Sequence, residues 1–146
     1  MKGLFLTLLL TVASAIGFAQ EVQPLKGAKI EFASDVHDYG DVKHGGNGKC
    51  TFTFTNTGTE PLVISNARGS CGCTVPEWPK EPIAPGAKAV ITVNYDTKRV
   101  GAINKSVTIT SNAVNEPTKI IRIKGNVLPA PEGTSPVNET GAPVNN

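Results

Sequence analysis

From Lys29 to Leu128 the chain alternates polar and apolar residues with a period of two. Cys50-Thr51-Phe52-Thr53-Phe54-Thr55 places threonine on one face and apolar groups on the other. Ala89 to Tyr95 aligns Ile91, Val93 and Tyr95 on one side, and Lys29–Phe32, Ser106–Thr110 and Lys119–Lys124 repeat the theme. Short alternating runs rich in β-branched residues predict half-buried strands. The separators agree: Gly45–Gly48 (GGNG), Asn56–Pro61 (NTGTEP), Ala84–Ala87 (APGA) and Ser111–Pro117 (SNAVNEP) supply turn chemistry. No window of a dozen residues carries a helical period. Six or seven short strands in about a hundred residues predict an all-β, immunoglobulin-like antiparallel β-sandwich, with a small barrel as the alternative.

The two ends differ from this middle. Residues 1–19 combine Lys2, an apolar run from Leu4 to Ile16 and the small residues Gly17 and Ala19. That pattern reads as a cleaved export signal, too short and wrongly flanked for a spanning helix. A lead (20–28) then precedes the sandwich (29–128). From Pro129 to Asn146 the chain holds four prolines and two glycines, and no isoleucine or aromatic residue. Such a Pro/Gly/Asn-rich segment buries too little to offset its ordering entropy and is expected to be a disordered tail. The expected location is therefore periplasmic or secreted, with no stable membrane insertion after cleavage. Net charge is +2, without a basic stripe, so no nucleic-acid partner is expected.

Three cysteines carry the most unusual chemistry. Cys50 shares its face with Phe52 and Phe54 and reads as a core residue. Cys71 and Cys73 flank Gly72 in GSCGCTVP, and three readings compete for them. In an oxidising compartment they can form a disulfide, with each other or with Cys50. On a straight strand their Cα atoms would lie roughly 6.5–7 Å apart, so such a bridge needs a turn at Gly72. A bridge so short would be a candidate redox site. Alternatively, Cys71 and Cys73 could hold copper or zinc, with His37 and His44 as further ligands, though a closed zinc site wants four. In the third reading they are small packed side chains.

Other chemistry has less support. Neither a nucleophile elbow nor a phosphate loop appears. The carboxylates Asp35, Asp38, Asp41, Glu77 and Glu81 read as solvated loop residues. Trp78, framed by prolines in PEWPKEP, reads as core, or as a rigid binding anchor if exposed.

Once the strands are placed, Asn56-Thr57-Gly58, Pro61–Ile64, Ser70–Thr74 (SCGCT), Pro82–Gly86 and Gly101–Asn112 form a specific pattern. It resembles the bacterial domain of unknown function 1573 family, from about Phe32 to Val127. The resemblance implies an immunoglobulin-like module of the kind found in cilia- and centrosome-associated proteins, commonly exported by bacteria. It implies no enzyme activity. The family pattern usually lacks a cysteine at the position of Cys50. The expected function is an exported, non-catalytic envelope module with a structural role or a protein or glycan partner, and without a cofactor. The alternative is a small copper-binding or redox protein built on Cys71-Gly72-Cys73. The exported chain is expected to begin at Gln20, checked by its intact mass; a chain retaining Met1 would make the apolar run an anchor.

Overall fold

A computed structural model describes residues 26–132; the export-signal segment and residues 133–146 of the tail lie outside it. Eight strands follow in order: β1 (Ile30–Phe32), β2 (Val36–Val42), β3 (Lys49–Asn56), β4 (Ile64–Gly69), β5 (Thr74–Glu77), β6 (Lys88–Tyr95), β7 (Gly101–Ser111) and β8 (Thr118–Val127). They build two four-stranded sheets, ordered β1-β3-β6-β5 and β2-β8-β7-β4. The fold is the expected β-sandwich. Its core is the inward set of the alternation, with Phe54, Leu62, Ile91, Val93 and Ile121 wholly buried. Burying each such side chain contributes about 2 kcal/mol. Cys50 points into this core beside Phe52 and Phe54, and its thiol is free.

Two strands correct the reading of the sequence. VHDYGDV, with Asp38 and Asp41, forms β2 rather than a loop, and Glu77 ends β5. In β2 the alternation is masked because the inward residues are His37 and Tyr39. Gly40, at φ 60°, lies in a register shift between Asp38 and Asp41. Asp38 accepts from the Gly40 amide (2.9 Å) and pairs with Lys124 (3.3 Å). These contacts, the amide first, hold its carboxyl below the usual range. Tyr39 donates its hydroxyl to the Gly48 carbonyl (2.6 Å).

One pairing is parallel, β2 with β8, while the others are antiparallel. The cause is the three-residue corner Ala33–Asp35. It carries the chain from one sheet to the other without reversing direction, so β1 and β2 form one split strand. Ser34 holds the corner through both backbone groups of Val36 (2.8 and 3.3 Å). Lys119 pins it to the β7–β8 turn, bridging Asp35 (2.9 Å) and Glu116 (3.1 Å).

Asparagine side chains fasten the turns. Asn56 is fully buried, and its amide nitrogen donates to the carbonyls of Glu60 (2.8 Å) and Ile83 (2.9 Å). Its amide oxygen accepts from the backbone of Gly58 (3.0 Å) and Lys29 (3.3 Å). Every hydrogen-bonding site of this side chain is thereby filled. Gly58 lies against the Gly27 carbonyl so closely that a Cβ there would collide with it. Asn112 bonds Val63 and Pro61, and Asn115 bonds both backbone groups of Ile30. Because Asn56→Ala would orphan several buried groups at once, it is expected to cost about 3 kcal/mol in urea unfolding. A loss below about 1 kcal/mol would remove Asn56 from this role.

Candidate functional site

The Gly69–Thr74 corner joins β4 in one sheet to β5 in the other. The Thr74 amide donates to the Cys71 carbonyl (3.2 Å), closing a turn around Gly72. That turn shortens the Cys71–Cys73 Cα separation to 5.2 Å, within disulfide range, and the two are bonded. Cys73 is buried and Cys71 half-buried, with the Thr74 hydroxyl 3.8 and 3.6 Å from their sulfurs. A Cβ on Gly69 would strike the Thr74 carbonyl, so the corner needs a glycine there to close.

The proposed metal ligands do not converge. Among the described residues no group of three or more His, Cys, Asp or Glu side chains meets. His37 packs edge-on against Tyr39 (4.6 Å between centroids), and His44 hydrogen-bonds the Lys98 carbonyl (3.1 Å). Oxidised sulfurs are not thiolates, so copper or zinc ligation at Cys71 and Cys73 would require prior two-electron reduction. Trp78 is half-buried against the core, with Lys80 Nζ 3.0 Å above its ring and a buried indole N–H that has no partner. Its ring face is already occupied. Burial pushes the Cys50 thiol above its ordinary pKa.

Beside the corner lies an open cleft of about 480 Å³, lined by β4 (Ala67, Arg68, Gly69) and by Cys71, Thr74 and Pro76. Its walls are the edge strands of the two sheets, which makes the state of each edge decisive. Unpaired edge amides are templates for another strand, and proteins ordinarily blunt them. On β1, Val114 donates to the Ala28 carbonyl and Asn115 occupies both outward groups of Ile30, leaving Phe32 alone. On β2, Ser34 caps Val36 and Asp38 caps the Gly40 amide, while Asp38 stays outward and a register shift follows it. On β5, Cys73 bonds Asp96 of the neighbouring strand connection, so Thr74 and Pro76 face outward. The Thr74 amide is used by Cys71, and Pro76 has none.

β4 differs. Ser70 donates to Ser106 of β7, and Arg68 and Asn66 are in register with Thr108 and Thr110. The alternation therefore turns the amides of Ala67 and Gly69 away from the sheet, towards the cleft. Of the four edges described, β4 turns two successive amides outward at strand spacing, Ala67 itself being buried and Gly69 lying against the Thr74 carbonyl. Nothing in ISNARG announces this, because edge status depends on which strands pair. The one signal the sequence carries for an edge is Pro76, which belongs to β5 and was not read as such.

The bridge spans one intervening residue, which bounds its stabilisation at about 1.5 kcal/mol. A Cys71→Ser, Cys73→Ser double variant is therefore expected to fold and to lose no more than that in urea unfolding. Alkylation of the native wild type without reductant is expected to leave Cys50 unlabelled, and labelling after unfolding to reveal one thiol. Three labelled thiols would contradict the bridge.

Comparison with known proteins adds the family. The family model "Protein of unknown function (DUF1573)" matches residues 30–127. No curated protein matches the sequence. A protein of unknown function from Porphyromonas gingivalis W83 superposes with a TM-score of 0.62 at 19% identity, over 69% of this chain and 47% of that one. The present chain thus spans about half the length of that relative. The ASH/PapD-like domain 7 of human CEP192 superposes with a TM-score of 0.59 at 10% identity, over 83% of this chain and 100% of that domain. The VesB protease of Vibrio cholerae gives 0.52 at 16% identity, over 67% of this chain and 32% of that one. At these identities the likeness is one of fold. The family match covers most of the described sandwich, from β1 to β8, and the chain belongs to the DUF1573 family.

Proposed function

We propose that this protein is an exported, non-catalytic module of the bacterial envelope that binds an extended segment of a protein partner by strand addition to β4. The observation that carries the reading is the pair of outward amides at Ala67 and Gly69, beside a cleft between the two sheets. Main-chain hydrogen bonds supply affinity in this mode, and side-chain pockets supply selectivity. The cleft lining contains no carboxylate or imidazole, which supports binding over acid–base chemistry. A protein partner is favoured over a glycan because the single tryptophan is half-buried and covered by Lys80. The export signal read in residues 1–19 supports the envelope location.

Ala67→Pro tests the reading. Proline there removes an outward donor and sets a methylene where the partner would approach, while no ladder hydrogen bond is lost. A photo-crosslinking residue at exposed Asn66, in the producing bacterium, is expected to yield a discrete adduct that Ala67→Pro abolishes without unfolding the domain. A probe at Thr53, on the outer face of the other sheet, is expected to yield none. An adduct indifferent to Ala67→Pro, or no adduct from Asn66, would overturn the proposal.

A further inference from the structure

Resting on that reading, we infer that the β4 edge selects a segment alternating apolar and acidic residues, with an acidic side chain set beside Arg68. A strand added to β4 must keep the pleat of its neighbour, so its side chains alternate between the two faces of the sheet. Residues opposite Ala67 and Gly69 point inward, into the cleft. There the wall is short and mostly apolar, made of Ala67, Gly69, Pro76 and Cys71 of the disulfide, with Thr74 as its polar member, and it leaves space for apolar side chains. Residues opposite Arg68 point outward, onto the exposed face that Arg68 shares with Thr108 and Ile120 across the sheet.

That face is positive near β4. Arg68 is exposed and makes no ion pair among the described residues. One row away, Ser106 is in register with Arg122. Lys124 lies further along the face and is paired with Asp38 of β2, at the opposite edge. An incoming acid therefore finds a free guanidinium on the adjacent strand, whereas an incoming lysine meets a like charge. Cross-strand pairs of opposite charge stabilise and like charges opposite one another destabilise. The same rule disfavours a second copy of this chain: the self-pairing that uses both Ala67 and Gly69 sets Arg68 directly against its own symmetry mate.

Two capped decapeptides test the inference, one alternating valine with glutamate and the other valine with lysine, titrated against the mature protein at physiological salt. Amide shifts at Ala67 and Gly69 report the site, and sedimentation reports self-association. An exposed pair is weak, so the glutamate peptide is expected to bind about fivefold more tightly than the lysine peptide. Arg68→Glu is expected to reverse that preference, and Ala67→Pro to abolish binding of both. Equal affinities that Ala67→Pro still abolishes would overturn the charge selection and leave the docking edge standing. Failure of both peptides to bind, or binding indifferent to Ala67→Pro, would overturn the selection together with the docking reading. A dimer that Ala67→Pro dissociates would make the occupant a second copy and overturn the inference.

Discussion

The side-chain amide of Asn56 is the point from which this sandwich is organised. It is fully buried, and an amide so placed must have every donor and acceptor filled. The four backbone groups that fill it come from the lead into β1, from both sides of the Gly58 turn, and from Ile83. One residue thereby sets where β1 begins, how β3 ends, and where the segment before β6 crosses. Ile83 then pairs with Leu62 through two backbone bonds (2.8 Å each), aligning the lead into β4.

Asn112 and Asn115 repeat the device at the rim. An asparagine amide offers a donor and an acceptor side by side, as a strand residue does, so it can seal an edge without a further strand. With serine and aspartate caps on β2 and a proline in β5, several outward amides of the sandwich are taken or absent. Against that partial sealing, β4 is set apart by two successive outward amides beside a cleft. The disulfide corner defines one end of that cleft by turning the chain from β4 into β5. This gives the CGC motif a geometric role that does not depend on redox chemistry.

Much of the fold was legible because it rests on local periodicity. Phe52 and Phe54, Ile91 and Val93, and Ile121 and Ile123 sit on the inward faces that the alternation assigned. Cys50 took its place by the same rule. β2 was not legible, since its inward residues, His37 and Tyr39, are polar-tipped and Gly40 interrupts its register. The disulfide remained one of three readings because it depends on a turn at Gly72 that spacing alone does not specify. The docking edge was invisible for a different reason: an amide is free or bonded according to its neighbours, and neighbours are a property of topology. Charge told little from composition alone, yet Arg68 acquires meaning once β4 is seen to be an edge.

Residue-resolved hydrogen exchange of the native domain tests the central claim most directly. If β4 is the open edge, the amides of Ala67 and Gly69 exchange far faster than those of Asn66 and Arg68 in the same strand, while the sealed amide of Ile30 in β1 remains protected. Equal protection of Ala67, Arg68 and Gly69 would mean that the edge is already occupied or closed, and would contradict the account.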